Sequence, residues 1–383
     1  MNAMNESKEW QVAFSILQTL KRYGHEAYIV GGALRDLLLK EAFVDLDIVT
    51  SATICELKGI FPSAVIIRTN IPLLSMRKND VRVEISELHA RSLMENLRAR
   101  DFTVNAVALN ERGEWIDPFH GQRDIERREL RLVREDSIRS DPLRILRASR
   151  LMAAYHFIAD PGVAKACRAQ RGHLNAIAAE RIGEELNRLF QSRDAAYGMQ
   201  WLDEQGILSI LCPDASGLHK TPVFSPLNKV DTLTEKWVVF FYLLGEKNVR
   251  HRLKKWRLSK AMVNTVHRLF FYTGKRLMAT WDRRTLYGAG EKTALAAEKT
   301  AHVLSDSVPG GEMNVRKLLA ELPILNRHEL AVSPLEISAH IEREPGPWLG
   351  NMLRALEMAV IDKQVKNEKG PLLTWVKERW DET

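Results

Sequence analysis

The spacing of apolar residues along the chain changes near residue 136. Before that point, helical repeats alternate with short apolar runs that are typical of strands. The helical repeat is clearest from Trp10 to Leu20, and Thr53 with Glu56 has the spacing of a capping box. The predicted strands are Ala27–Val30, Asp45–Thr50, 64–69, 73–77 and 81–85.

After residue 136 the helical period dominates, and Pro-Gly pairs mark the loops. Strand-like alternation nearly disappears from this part of the chain. The pattern therefore predicts an α+β protein: an N-terminal head with a small mixed β-sheet and helices, followed by an elongated all-α region.

Composition narrows the class of protein further. The net charge of +7 over 383 residues fits a polyanionic partner, although many basic proteins bind no nucleic acid. Three widely spaced cysteines suggest neither a disulfide framework nor a zinc site, which fits a reduced cytosol. No stretch approaches the ~18 consecutive apolar residues of a membrane span, so we expect a cytoplasmic protein without a membrane partner.

Asp45 and Asp47 stand at the start of a predicted strand. Side chains i and i+2 of a strand point the same way, about 6–7 Å apart at the backbone. Two carboxylates at that distance suit Mg²⁺, and a two-metal site would activate an attacking hydroxyl and stabilise a leaving pyrophosphate. The alternative, which holds for most isolated Asp-x-Asp pairs, is two exposed carboxylates without a ligand.

The segment upstream favours the first interpretation. Gly31 and Gly32 lie where a strand becomes a helix, so their backbone N–H groups could approach a polyphosphate closely. Arg35 could supply a charged fork to the same phosphates. Glu84, on the strand at 81–85, is a candidate third carboxylate; a cross-strand ion pair on an exposed face is an equally good explanation.

These residues resemble the motifs of the class II tRNA nucleotidyltransferases, the family of the CCA-adding enzymes and bacterial poly(A) polymerases, and the bacterial CC-adding enzymes most of all. The first motif is Gly31-Gly32-x-x-Arg35-Asp36 followed by Asp45-x-Asp47. The other motifs follow in the family's order at residues 100–106, 117–121, 141–150 and 180–184. His120 stands where the family often has Gly, and Ser140 where it commonly has Glu.

The resemblance implies a set of site residues and a division into domains. The catalytic residues would be Asp45, Asp47 and Glu84, with Asp45 and Asp47 as ligands of Mg²⁺. The nucleotide-binding residues would be Gly31, Gly32, Arg35, Arg100, Asp101, Asn105, Asp141, Arg144, Arg147 and Arg150. The domains would be a catalytic head at 1–135, a nucleotide-selecting neck at 136–195, a helical body at 196–290 and a tRNA-binding tail at 291–383.

Asp141 and Arg144 could recognise cytosine through hydrogen bonds. Asp141 could accept a hydrogen bond from the N4 amino group of cytosine while Arg144 donates to the ring acceptors, an imitation of guanine that the resemblance supports. Asp141 is also expected to cap a helix whose first residue is Pro142. On spacing alone, a capped and solvated Arg-rich helix would explain the same residues.

Only fifteen residues, 85–99, separate Glu84 from Arg100. Full CCA-adding enzymes of the resembled family usually carry a longer flexible loop here. The sequence therefore predicts an enzyme that adds CC from CTP to tRNA and leaves the terminal A to a separate A-adding enzyme, although surface loops also shorten harmlessly. The alternatives are a full CCA-adding enzyme that uses CTP and then ATP, a poly(A) polymerase, and an inactive RNA-binding protein.

A dense basic run covers residues 250–257 (RHRLKKWR), and Lys260 extends it. The run could grip RNA phosphates, with Trp256 available for stacking on a base. Leu253 and Trp256 lie three residues apart, which equally suits the apolar stripe of a helix. We expect Trp256 to be buried.

Overall fold

The computed structural model describes residues 7–43, 45–68, 72–88, 92–215 and 223–381. It divides into two compact units, Met1–Pro213 and Asp214–Thr383. The first unit combines a β-sheet with helices, and the described residues of the second form helices and loops without a strand, so the predicted α+β class is confirmed. The finer division into head, neck, body and tail stays a prediction. Among the described residues, every helix is too short or too polar to cross a membrane.

The first unit begins with alternating helices and strands and ends with helices. Its strands are β1 (Ala27–Val30), β2 (Asp45–Thr50), β3 (Val65–Ile67), β4 (Leu73–Lys78), β5 (Val81–Glu87), β6 (Ala108–Leu109), β7 (Trp115–Ile116), β8 (Glu129–Leu130) and β9 (Ile158–Ala159). Its α-helices are α1 (Lys8–Arg22), α2 (Gly32–Leu39), α3 (Ile54–Ile60), α4 (Leu93–Arg98), α5 (Gly121–Arg127), α6 (Ser137–Ser140), α7 (Arg144–Tyr155), α8 (Pro161–Gln170), α9 (Ala179–Phe190), α10 (Ala195–Glu204) and α11 (Leu208–Leu211).

The second unit is a set of packed helices. They are α12 (Leu233–Leu244), α13 (Val249–Lys255), α14 (Lys260–Met278), α15 (Arg283–Leu304), α16 (Glu312–Ala320), α17 (Pro334–His340), α18 (Pro347–Ile361) and α19 (Lys369–Asp381). Gly290 interrupts α15 with a φ of 68°, which kinks that helix.

Strands β1 to β7 form one mixed sheet in the order β3-β4-β5-β2-β1-β6-β7. Only the β2–β5 pair is parallel within this sheet, and the other neighbours run antiparallel. Strands β4 and β5 form a hairpin: Asn79 and Asp80 make its turn, both with positive φ, as a two-residue hairpin loop requires. Strand β2 therefore lies in the centre of the sheet, beside β1 and β5.

Alternation along β2 decides which side chains reach the core. Leu46 and Ile48 pack into the large apolar cluster that also contains α1, and Val49 belongs to a smaller cluster on the opposite face. Asp45 and Asp47 share the face of Val49. The acidic pair thus lies on the thinly covered side of the sheet, away from the main core.

Two local predictions of helix ends have different outcomes. Thr53 and Glu56 form the predicted capping box at the start of α3. Helix α7 begins at Arg144, so its predicted start at Pro142 is wrong. A tight i+3 turn precedes the helix, since the backbone N–H of Arg144 donates to the Asp141 carbonyl at 3.0 Å. The Asp141 carboxylate still accepts the N–H of Leu143, at 3.3 Å.

Candidate active site

The carboxylate pair is held by the register of three strands. In the sheet, Asp47 lies opposite Val30 of β1 and opposite Glu84 of β5, and Asp45 lies opposite Arg82. Because β2 and β5 are parallel and in this register, Asp45, Asp47 and Glu84 share one face. The structure thus brings all three predicted catalytic carboxylates together.

Glu84 takes part in an ion pair as well as in the acidic cluster. Arg82 donates from Nη2 to Glu84 Oε1 at 2.7 Å, and its Nε lies 3.9 Å from Asp45 Oδ1. Val81, Val83 and Ile85 are buried on the other face, as expected from strand alternation. The ion pair of Glu84 therefore lies within β5 and not across strands as the alternative expected, and the catalytic role of Glu84 stays a prediction.

Asp47 is the carboxylate most affected by its surroundings. Burial raises its pKa, and the neighbouring charges of Glu84 and Asp45 raise it further, against the opposing effects of Arg100 and Arg82. A divalent cation at this position would relieve the repulsion between the carboxylates. In the described ranges, no group of three or more His, Cys, Asp or Glu side chains is arranged to hold a metal. A cation bound by Asp45 and Asp47 would thus complete its shell with water and substrate phosphates, as Mg²⁺ commonly does.

Gly31 turns the chain from β1 into α2 beside these carboxylates. Its φ of 82° and ψ of −139° are readily adopted only by glycine. A Cβ at this position would lie 2.7 Å from Arg100 Nη1 and 3.2 Å from Asp47 Oδ2. Because Gly31 has no side chain, its backbone can lie close to both the Arg100 guanidinium and the Asp47 carboxylate. A Cβ at this position would be too close to them. Gly32 follows as the first residue of α2.

Arg35 is bound by protein groups on every side. Its guanidinium donates to Asp36 Oδ1 at 3.0 and 2.8 Å, to Asn105 Oδ1 at 2.7 Å and to the Tyr155 hydroxyl at 2.8 Å. The group also lies 4.4 Å from the centre of the Tyr155 ring, and the residue is 7% exposed. In this structure Arg35 ties α2 to the 100–106 motif and to the end of α7. Direct contact with phosphates stays a prediction for it.

Asp101 continues this network towards α7. Asn105 Nδ2 and the Phe102 N–H donate to Asp101 Oδ1, and Arg147 Nη1 donates to Asp101 Oδ2 at 2.9 Å. Burial alone would raise the pKa of Asp101, but the charge of Arg147 and these hydrogen bonds outweigh it and lower the pKa. Asp101 is therefore a buried, ionised anchor for Arg147.

A second buried carboxylate holds the same face of α7. Glu185 of α9 is 3% exposed and accepts from Arg150 Nε at 2.9 Å and from Arg188 Nη1 at 3.4 Å. Its Oε1 also lies 4.0 Å from Arg147 Nε. Arg147 and Arg150 are thus fixed by Asp101 and Glu185 rather than freely solvated.

Asp141 and Arg144 each have a hydrogen-bond partner within the protein. Arg181 donates from Nη2 to Asp141 Oδ2 at 3.0 Å. Arg144 donates to the Ala99 carbonyl at 2.8 Å and also to Ser137 Oγ. Arg144 therefore links α7 to Ala99, the residue that directly follows α4.

Two buried donors of this region lack an acceptor. Arg100 Nε and Arg144 Nε have no hydrogen-bond partner among the described residues. Burial lowers the pKa of both guanidinium groups, against the opposing effects of nearby carboxylates. Buried donors without acceptors are uncommon in folded proteins, and they mark a place where a ligand or a rearrangement can satisfy them.

Sequence reasoning missed Glu185 and gave Arg181 no role of its own. A signal for Glu185 was present, because it shares the apolar stripe of α9 with Ile182 and Leu189. A glutamate on such a stripe needs a cation from a facing element, and α7 offers several. The pairing of Arg181 with Asp141 spans forty positions, and no local pattern predicts it.

Three family models match successive parts of the chain. They are the Poly A polymerase head domain at residues 27–131, the probable RNA and SrmB-binding site of polymerase A at 156–218, and the putative tRNA nucleotidyltransferase domain 2 at 228–376. The first match contains the Gly31 turn and the three carboxylates.

Curated relatives and a solved structure match nearly the whole chain. The CC-adding tRNA nucleotidyltransferase of Halalkalibacterium halodurans is 32% identical over 370 residues, which are 95% of this chain and 96% of that protein. A CCA-adding enzyme of Bacillus cereus is 30% identical and covers 97% of this chain and 99% of its own length. The crystal structure of the Bacillus stearothermophilus CCA-adding enzyme with CTP superposes with a TM-score of 0.86 at 30% identity, over 97% of this chain and 98% of that one.

The motifs, their order, the hydrogen bonds that join them and these full-length similarities agree with one another. The resemblance found in the sequence is confirmed, and so is the conclusion that the chain is an enzyme. The chain belongs to the class II tRNA nucleotidyltransferases, the family that contains the CC-adding and CCA-adding enzymes.

Proposed function

We propose that this nucleotidyltransferase adds two CMP residues from CTP to the 3′ end of a tRNA and releases pyrophosphate. The observation that carries the chemistry is the placement of Asp45 and Asp47 on one face of β2, next to the Gly31 turn. The observation that favours the CC product is the short connection of fifteen residues, 85–99. A relative at 32% identity is named as a CC-adding enzyme, which supports the same conclusion.

Nucleotidyltransferases of this family use divalent metal ions. We assign Mg²⁺ to Asp45 and Asp47, because two carboxylates with substrate phosphates form a typical Mg²⁺ shell. Bound there, the ion would polarise the attacking 3′-hydroxyl and the phosphates of CTP. Glu84, opposite Asp47 in the register, would add negative charge to the same cluster.

The chain's own residues orient the substrates in this proposal. The backbone at Gly31 and Gly32 approaches the triphosphate, and Arg100, which lies beside Gly31, offers charge to it. Asp101 and Glu185 fix Arg147 and Arg150 on one face of α7, so that these groups meet the nucleotide without a large loss of side-chain entropy. Asn105 holds Asp101 and Arg35 together.

Asp141 and Arg144 would select cytosine by accepting from its N4 amino group and donating to its ring acceptors. Replacing Asp141 with alanine is expected to lower the ratio of kcat/KM for CTP to that for UTP by about tenfold or more. Affinity for tRNA should stay within twofold. Steady-state kinetics with each nucleotide measure the ratio, and Glu180→Ala, an exposed carboxylate beside Arg181, is the matched control. An unchanged preference for CTP in Asp141→Ala would remove this residue from base selection.

The second candidate function is addition of the complete CCA sequence with CTP and then ATP. The 30% identical relatives named as CCA-adding enzymes favour it. Purified protein incubated with tRNA lacking its 3′ CCA, together with CTP and ATP, separates the two functions by sequencing of the products. We expect 3′ ends that stop at CC. Efficient addition of a terminal A would establish the CCA product instead.

A further inference from the structure

A pocket of about 690 Å³ opens on the second unit, within residues 242–278. Its walls come from the end of α12, from α13 with the loop before it, and from α14. None of the motifs assigned to catalysis or base selection lies in this stretch. The pocket is therefore a feature that transfer of the nucleotide leaves unexplained.

The charged residues that line the pocket are all basic. Lys247, Arg250, Lys254 and Lys275 line the pocket, and the lining contains no Asp or Glu. Within the described residues of this unit, none of these four cations forms an ion pair. The nearby carboxylate of Glu246 is buried and already bound to Arg252 at 2.9 Å. A concave surface of one sign attracts a polyanion, and phosphates are its natural complement.

The pocket also offers an exposed aromatic face. Phe271 is 51% exposed, and the ammonium of Lys275 lies 5.7 Å from the centre of its ring. Trp256 of the basic run is 3% exposed, so its predicted burial is confirmed, and its ring packs against Trp237. An exposed ring beside cations is the arrangement by which proteins stack unpaired bases while they hold the flanking phosphates.

We propose that this pocket binds an unpaired nucleotide of the tRNA substrate, with the flanking phosphates on Arg250 and Lys254 and the base on Phe271. The proposal rests on the proposed function for the identity of the RNA. It distinguishes the pocket from the basic run as a whole, because Lys255 and Lys260 belong to that run and lie outside the pocket lining.

The test compares two pairs of substitutions in the full chain that remove the same charge. Arg250→Ala with Lys254→Ala is expected to raise the KM for tRNA about tenfold near 0.15 M salt. It should also reduce the slope of log affinity against log salt by about 2. The control, Lys255→Ala with Lys260→Ala, should change both quantities little. Phe271→Ala should weaken tRNA binding by about fivefold or more without changing the salt slope.

Three further measurements serve as controls. The KM for CTP, kcat at saturating tRNA and the thermal midpoint should stay near wild type in all variants, because the pocket holds no catalytic group. Equal losses in the two charge pairs, no loss in either pair, or a raised KM for CTP would each overturn the proposal. If the wild-type protein adds no CMP, the proposed function is refuted but the pocket is not. The pocket can then still be tested by measuring direct tRNA binding to the same variants without CTP.

Discussion

Replacing both Asp45 and Asp47 with asparagine is expected to lower the single-turnover rate of CMP incorporation by about 10³-fold or more. In the proposed mechanism the two carboxylates would supply the protein's ligands for the metal ion, and such an ion contributes several kcal/mol to stabilising the transition state. The affinity for tRNA should stay unchanged, because a carboxylate does not bind the phosphates of RNA.

The same variant should not lose stability. Burial raises the pKa of Asp47, so at neutral pH its charged form costs folding free energy, and a neutral amide removes that cost. We therefore expect a thermal midpoint equal to or above that of wild type. Asp80→Asn, in the turn between β4 and β5 with a 97% exposed side chain, is the matched control and should change neither rate nor midpoint. A near wild-type rate in the double variant would refute the role of the pair.

Glu185→Gln is expected to lower the free energy of unfolding by about 2–3 kcal/mol and to raise the KM for CTP. Removal of one partner from a buried ion pair leaves the other uncompensated, which costs about 3–5 kcal/mol in well-buried cases. We expect a smaller loss of unfolding free energy than in those cases, because the Arg150 side chain is 23% exposed and solvent screens its charge. Denaturant unfolding and steady-state kinetics measure the two effects.

The neighbouring residue supplies the control for that prediction. Glu184 stands one position earlier in α9 and is exposed, so Glu184→Gln should leave stability and kinetics unchanged. Similar losses in the two variants would show that charge on α9, and not the pairing of Glu185 with α7, is responsible. Unchanged stability in Glu185→Gln would contradict the bracing role directly.

Local patterns predicted the parts of the fold that short-range physics decides. β1 and β2 were predicted with their observed bounds, because alternation and flanking turns define them. The face of Asp45 and Asp47 followed from the same alternation. The capping box at Thr53 and the burial of Trp256 also depend on neighbours within a few positions.

The partners of the site residues could not be predicted in this way. Arg35 contacts Asn105 and Tyr155, which lie 70 and 120 positions away. Such pairs are set by the packing of α2 against α7 and the 100–106 motif, and the local sequence carries no record of that packing. The protein groups that Arg35 and Arg144 contact were therefore not predicted from the sequence, and nucleotide binding by these residues stays a prediction.

We propose that this chain transfers nucleotides from CTP onto tRNA at the Asp45–Asp47 carboxylates. The most direct test counts released pyrophosphate against nucleotides added to tRNA lacking CCA, with CTP and Mg²⁺. We expect two pyrophosphates for each extended 3′ end with the wild-type protein, and none with Asp45→Asn and Asp47→Asn together. Pyrophosphate release without extension, or equal extension by the double variant, would contradict it.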